Sequence, residues 1–462
     1  MRAEVKILLT KENVIKKLSL KVLTVFLSAL VLLGSSLFGA GALSFPNNVK
    51  TQSKSILLVS MDTGQTVYEK NADEKMYPAS TTKIMTFIVA YEHIDDIQNT
   101  RITIKKSIID KLRNTGSSMA YLSDHIGKKV SVTDILYSLM VPSGNDAAMV
   151  LADYVGNGDI DAFVEIMNDK AEELGCENTH FANPDGLHNK NHYTTARDLV
   201  KITNYALTLD GFEKIANTSR YTCEGDDIPL VTTNGLIDPN SEYYYQYAKG
   251  IKTGTTDEAG RCLVTTASAD GQTYMLVLLG APYKEGVQEE YFTFSDAKAL
   301  FRWCLVELEQ QPLKTRNTPM CELDLSYAWG KNKITLNPAR DLNVILPANY
   351  SEDNIEIEYD VPKELEAPLK TSDVVGTASV YYVDTKTGDR QLLETIDLTP
   401  SENVDRSGIV ALWTFIVRIF KSYWFLIIIA LIILTVIGYM IAAKIHRYRK
   451  KKNREVKRYR NF

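Results

Sequence analysis

The stretch "YPASTTKIM" (residues 77–85) sets Ser80 and Lys83 three residues apart at the start of an apolar, helix-like run. Residues at i and i+3 share a helix face, so the hydroxyl and the amine can meet. The plainer reading is a helix N-cap serine followed by a surface lysine. A capping box, however, wants Glu or Gln at the third position, and a lysine there faces the positive end of the helix dipole. The cationic form is disfavoured. That cost to folding becomes useful where a neutral amine has to act as a base, which is how functional sites break local rules.

Ser-x-x-Lys alone identifies nothing, since Ser295 and Lys298 in "FSDAKAL" repeat it. Lys-Thr-Gly also occurs twice, at 252–254 in "GIKTGTT" and at 386–388 in "VDTKTGDRQ". Order and company separate the copies. Ser143, Gly144 and Asn145 in "VPSGNDAA" begin 63 residues after Ser80, and Lys252 follows after a further 109. No Ser-x-Asn stands between Ser295 and Lys386, and the polar "DTKTGD" reads as a hairpin loop.

The 462 residues suffice for two or three domains with sizeable cores. Net charge is −5, but residues 1–42 carry +4 and residues 444–462 carry +9, which leaves −18 on the body between them. Lys16, Lys17 and Lys21 precede "VLTVFLSALVLL" and the small-residue stretch "GAGA", the layout of a secretory signal. An uncleaved anchor is the rival, and either way the following domain is exported. Ser422 to Ala443 carries no charge and would reach roughly 33 Å as a helix at about 1.5 Å per residue, enough to cross a bilayer. "KIHRYRKKKNREVKRYR" follows and by the positive-inside tendency stays in the cytoplasm. Before the span, "IVALWTFIVRIFKSYW" reads as interfacial. Cys176, Cys223, Cys262, Cys304 and Cys321 form no CxxC and read as buried small hydrophobes.

Strand-like runs ("SILLVSM", "YMLVLLG") flank helix-like ones ("TTKIMTFIVAYEHI", "DAFVEIMNDKAEELG"), which predicts an α+β domain over 48–310 with a sheet built from both ends of the segment. From 315 to 400, "KITLNP", "LNVILP", "IEIEYDV", "TASVYYVD" and "QLLETIDL" predict a small β domain. The expected division adds a signal peptide over 1–42, an interfacial segment and transmembrane helix over 408–443 and a basic tail over 444–462.

Ser-x-x-Lys, Ser-x-Asn and Lys-Thr-Gly in this order mark active-site serine penicillin-binding proteins and class A β-lactamases. The chain resembles the low-molecular-mass penicillin-binding proteins, specifically the serine-type D-alanyl-D-alanine carboxypeptidases of peptidase family S11. "FANPDGL", "TTARDL", "TTNGL", "AGRCLVTTASADG" and "VVGTASVYY" extend the likeness over about residues 50–400. Many relatives attach by an amphipathic helix, whereas a full span and a basic tail follow here. The resemblance implies a serine β-lactamase/D,D-peptidase-like domain, a small all-β domain and a C-terminal transmembrane helix.

By this resemblance Ser80 attacks the carbonyl of the penultimate D-alanine of a peptidoglycan stem peptide, Lys83 takes its proton and Ser143 relays a proton to the leaving amine. Asn145 holds the substrate backbone and tethers Lys83. Lys252 and Thr253 receive the terminal carboxylate, and Gly254 lets substrate lie against its strand. The backbone N–H groups of Ser80 and Thr255 would form the oxyanion hole. No cofactor or metal is implied, and β-lactams would acylate Ser80.

Three readings stay open beside it. A β-lactamase needs a carboxylate to activate water, and Glu165 is the candidate, although Phe163, Ile166 and Met167 put it on the wet face of an amphipathic helix. A D,D-endopeptidase and a non-catalytic wall-binding scaffold share the fold. His188 and His192 have zinc-like spacing, but the Asn-rich "HNKNHYTT" after "NPDGL" predicts a loop. The basic tail beside a span suggests anionic lipid rather than nucleic acid.

Overall fold

The run "SILLVS" is buried along its whole length in β1 (Ser55–Ser60), as expected of a strand covered on both faces. A computed structural model describes residues 45, 48–113, 115, 117–283, 291–385 and 387–459. The expected signal peptide, Lys386 and the end of the tail lie outside the described residues. β1 turns at Gly64 (φ +75°) into β2 (Thr66–Lys70). Two short pairs follow, β3 (Arg101–Thr103) with β4 (Lys129–Ser131) and β5 (Arg220–Tyr221) with β6 (Leu230–Val231). β7 (Ala248–Thr256), β8 (Gly260–Ala269) and β9 (Gln272–Ala281) then complete an antiparallel five-stranded sheet in the order β2-β1-β9-β8-β7. Leu57 faces Val277 across the β1–β9 pair, and Gly254 faces Cys262 across the β7–β8 pair. The sheet is built from both ends of the segment, and β7 is one of its two edges.

Between the two sets of strands run α1 (Lys83–His93), α2 (Lys106–Lys111), α3 (Val132–Met140), α4 (Asn145–Val155), α5 (Ile160–Glu173), α6 (Ala196–Leu207) and α7 (Phe212–Ala216). Three of them start on side-chain caps: Ser131, Asp159 and Thr195 accept backbone N–H groups of α3, α5 and α6. α1 is buried from Lys83 to Ala90, the pattern of a helix at the centre of a core. Its Ile84, Phe87 and Ile88 share one apolar cluster with Leu57 and Val59 of β1 and Met275 and Val277 of β9. Ile56 and Leu58 are buried too, and α8 (Phe292–Glu307) packs on β8 and β9.

The C-terminal strands are β10 (Leu308–Lys314), β11 (Cys321–Ser326), β12 (Lys333–Pro338), β13 (Leu342–Pro347), β14 (Ile355–Asp360), β15 (Glu364–Glu366), β16 (Gly376–Val383) and β17 (Arg390–Pro400). Six of them form one sheet in the order β14-β16-β17-β12-β11-β15. The "LNVILP" strand pairs instead with β10 in a ladder of two. Two compact units result, with Val344–Ile355 and Tyr381–Leu393 grouped with the chain up to Gln311. α9 (Gly408–Lys421) and α10 (Tyr423–Tyr459) end the chain. Among the described residues one helix, Phe425–Lys450, is long and apolar enough to cross a membrane, and α10 continues without a break into the basic tail. All five cysteines are free and four are buried, which pushes the thiols of Cys176, Cys223 and Cys262 up to about 12.

The second Ser-x-x-Lys lies on α8, where Asp296, next to Ser295, ties the helix to the segment before β1. The buried Asp296 carboxylate accepts the N–H groups of Gln52 and Ser53 and the Ser53 hydroxyl, at 2.7 to 3.1 Å. Hydrogen bonds to a charged group contribute about 1.5–3 kcal/mol, and removing the acceptor strands its donors. Asp296→Ala is expected to lower stability by about 2–3 kcal/mol in denaturant unfolding, leaving the rate of penicillin labelling of the folded protein unchanged.

Candidate active site

Ser80 sits in a single 3-10 turn, Ala79–Thr82, that leads directly into α1. The turn is fastened by its own hydroxyls, Thr81 Oγ1 donating to the Pro78 carbonyl at 2.7 Å and Thr82 Oγ1 to the Ala79 carbonyl at 2.8 Å. Ala79 has φ +47°, a left-handed conformation that costs a non-glycine residue of order 1 kcal/mol or more. Ser80 does not cap the helix. Its Oγ lies 2.9 Å from Lys83 Nζ.

Lys83 is 0 % exposed, and its amine also reaches Asn145 Oδ1 at 2.7 Å and the Asp185 carbonyl at 2.6 Å. Both of these partners are acceptors, so they take two N–H bonds and leave the third position of the nitrogen for Ser80. A neutral amine holds its lone pair there, aimed at the hydroxyl. Burial lowers the amine from 10.5 to about 8, against the opposing pull of Asp185 and Asp146.

Ser143, Gly144 and Asn145 occupy the bend between α3 and α4. Ser143 has φ +65°, and a side chain on Gly144 would come within 2.6 Å of Asp146 Oδ1 and 2.8 Å of the Ser138 carbonyl. Only glycine fits. Asn145 opens α4, buried, with its N–H on the Ser118 carbonyl at 2.8 Å. The neighbouring Asp146 carboxylate accepts the N–H groups of Ala120, Tyr121 and Leu122, at 2.7 to 3.3 Å, and so ties the 118–122 segment to the start of α4. Sequence reasoning passed over Asp146, although its place beside Ser-x-Asn at a helix start was a usable signal.

Lys252, Thr253, Gly254 and Thr255 lie on edge strand β7. Together with Ser80, Ser118, Ser143, Thr233, Arg261 and Tyr291, Thr253 to Thr255 line a cleft of about 360 Å³. The three motifs thus meet in one place, whereas Ser295 and Lys298 remain on α8, and Thr387 and Gly388 lie between β16 and β17. Lys252 itself is 1 % exposed, outside the lining, with Nζ on the Thr253 carbonyl at 2.9 Å. Burial and the charge of Lys83 hold its amine well below the ordinary range. Thr253 shares a hydroxyl contact with Thr233 of "TTNGL". Gly254 makes room for the chain's own backbone: a side chain there would stand 2.8 Å from the Ser80 nitrogen and 3.0 Å from the Pro78 carbonyl. That is a different need from the expected clearance for substrate.

The opposite side of the turn is covered by the "FANPDGL" loop. A side chain on Gly186 (φ +87°) would stand 2.0 Å from the Ala79 carbonyl oxygen. Asp185 adds its carbonyl to Lys83, and burial raises its carboxyl above the usual range. "HNKNHYTT" is a loop as expected. His188 packs edge-on against Tyr77, and His192 bonds to Thr82 and Ala182. Among the described residues, no group of three or more His, Cys, Asp or Glu side chains is placed to hold a metal. Glu165 is exposed on α5, while Phe163 and Met167 face inward.

Comparison with known proteins also matches the chain in two parts. Residues 43–283 match the family described as D-alanyl-D-alanine carboxypeptidase, and residues 309–406 match the C-terminal domain of penicillin-binding protein 5. The chain is 30% identical over 379 residues to D-alanyl-D-alanine carboxypeptidase DacC of Escherichia coli, covering 80% of this chain and 88% of that protein. It is 28% identical over 365 residues to DacF of Bacillus subtilis, covering 78% and 87%. The crystal structure of penicillin binding protein 5 from Haemophilus influenzae superposes with a TM-score of 0.61 at 26% identity, covering 78% of this chain and 99% of that one. A family match over more than half the sequence, joined to a relative aligned across four fifths of it, fixes the assignment: the chain belongs to the serine-type D-alanyl-D-alanine carboxypeptidases, the low-molecular-mass penicillin-binding proteins of peptidase family S11.

Proposed function

We propose that the D,D-carboxypeptidase reaction runs through an acyl-enzyme on Ser80, with peptidoglycan stem pentapeptides as substrate and β-lactams as covalent inhibitors. The observation that carries this reading is the Lys83 amine, fixed by two acceptors with its third position 2.9 Å from Ser80 Oγ. Lys83 takes the Ser80 proton as Oγ bonds to the carbonyl carbon of the penultimate D-alanine. The oxyanion is received by the N–H groups of Ser80 and Thr255. As the C–N bond breaks, Ser143 relays the proton held by Lys83 to the leaving D-alanine nitrogen, giving up its own and regaining one from Lys83. Water then cleaves the ester: its hydroxyl joins the acyl carbon, the C–O bond to Ser80 breaks, and its remaining proton restores the Ser80 hydroxyl.

Asn145 orients Lys83 and offers its amide to the substrate backbone. Thr253 donates a hydroxyl to the terminal carboxylate, and Lys252 acts on the same group through its field. An arriving carboxylate favours the charged form of Lys252, which burial and Lys83 otherwise oppose. Exposure of Glu165 on the wet face of α5 supports a carboxypeptidase over a β-lactamase that would use this carboxylate to activate water.

The domain division read from the sequence belongs to the same proposal: a signal over 1–42, the catalytic domain over 48–310, a β-rich domain over 315–400, an interfacial segment and membrane span over 408–443, and a basic cytoplasmic tail over 444–462. This places the catalytic domain on the outer side of the cell membrane. The length and composition of Phe425–Lys450 support it.

Three outcomes are expected. Ser80→Ala abolishes labelling by a fluorescent penicillin and lowers D-alanine release from a pentapeptide by at least about a thousandfold, while Ser295→Ala labels like wild type. Persistent labelling of the Ser80 variant would refute the assignment. The acylation rate constant rises with pH through an apparent pKa of about 8, because only the neutral Lys83 amine accepts a proton; a profile flat across that range would count against Lys83 as base. Protease added outside intact spheroplasts digests the body and spares a reporter fused to the C-terminus, and digestion of the reporter would reverse the topology.

A further inference from the structure

His192 is 2 % exposed and stands in a loop whose side chains the reaction above does not use. Paired backbone hydrogen bonds between His180 and Tyr193, at 2.8 and 3.0 Å, close the loop at its base. From there it reaches the active site twice, by the Asp185 carbonyl on Lys83 and by His192 on Thr82. The Ala182 N–H donates to His192 Nδ1 at 3.1 Å. That nitrogen must therefore carry the lone pair, and Nε2 the proton. Nε2–H donates in turn to Thr82 Oγ1, 2.7 Å away, and Thr82 gives its single hydroxyl proton to the Ala79 carbonyl at 2.8 Å. Burial, joined by the charges of His180, Lys83 and His188, holds the imidazole down at about 3, so the ring stays uncharged through the neutral range and the Ala182 bond sets its tautomer.

The relay ends on one particular peptide plane. The Ala79 carbonyl and the Ser80 N–H belong to the same planar unit, so whatever fixes the carbonyl also aims the N–H. Ala79 holds that plane in a left-handed conformation that its own side chain resists. Gly186 and Gly254 supply room on either side but no directional bond. The hydroxyl of Thr82 supplies one, and bonds in such a chain reinforce each other.

We propose that His192 is a positioning residue for the reaction: acting through Thr82 Oγ1, it holds the Ala79–Ser80 peptide so that the Ser80 N–H meets the developing oxyanion and Ser80 Oγ stays facing Lys83. The inference rests on Ser80 being the nucleophile.

The test measures penicillin acylation by the full-length protein in detergent, separating the affinity of the non-covalent complex from the acylation rate constant. Outright loss of one oxyanion donor costs about 100- to 1000-fold, so misaiming it is expected to cost about 10- to 100-fold. His192→Phe and Thr82→Val should both lose that much in acylation rate, with non-covalent affinity within about twofold of wild type. The double variant should be no slower than the slower single one, because both changes cut the same relay. His192→Gln, which keeps a donor for Thr82, should recover most of the rate. If His192→Phe fails to fold, Thr82→Val with the imidazole intact carries the test. Wild-type acylation rates in these variants, additive losses, or equal losses in affinity and rate would overturn the inference. Absence of labelling in wild type, or labelling that survives Ser80→Ala, would instead overturn the nucleophile assignment beneath it.

Discussion

The Lys83 amine meets no solvent, and its contacts come from places far apart in the chain: Ser80 beside it, Asn145 at the start of α4 and the Asp185 carbonyl before α6. A fall from 10.5 to about 8 corresponds to about 3 kcal/mol at neutral pH. The sign follows from where the proton is held more tightly. The unfolded chain binds it better, so the folded state bears the full cost below about 8, and the cost fades as pH rises towards 10.5. A buried apolar core around α1, with Ile84, Phe87 and Ile88 packed against the sheet, offsets it. Catalytic and structural demands therefore meet in one helix.

The surroundings of that amine are stiff because little in them is adjustable. Ala79 and Ser143 take left-handed conformations at the two bends that present hydroxyls to the cleft. Gly144, Gly186 and Gly254 stand where a single added carbon would strike backbone or a fixed carboxylate. Strain of this kind persists only when neighbouring bonds over-determine it. Here they do: Asp146 gathers three successive N–H groups on one flank, and the loop ending at His192 secures the other.

Much of this was legible in the sequence. Period and length gave the buried strand "SILLVS", the amphipathic α5 with Glu165 outward, and the loop character of "HNKNHYTT". The order of Ser-x-x-Lys, Ser-x-Asn and Lys-Thr-Gly singled out one set of copies, because a second full set did not exist, and residues of all three line one cleft. What stayed hidden has a common physical reason. The Asp185 carbonyl carries no residue identity, the clearance at Gly186 and Gly254 is a tertiary fact, and the partner of His192 lies 110 residues away.

The Asp185 contact separates two properties that usually travel together. Its main-chain oxygen anchors Lys83, while its side-chain charge influences how firmly that nitrogen keeps a proton. Any residue that preserves the loop's path inherits the anchor, but only an acid inherits the influence. Natural variation at this position can therefore shift the working acidity range of the enzyme while leaving its machinery standing where it was.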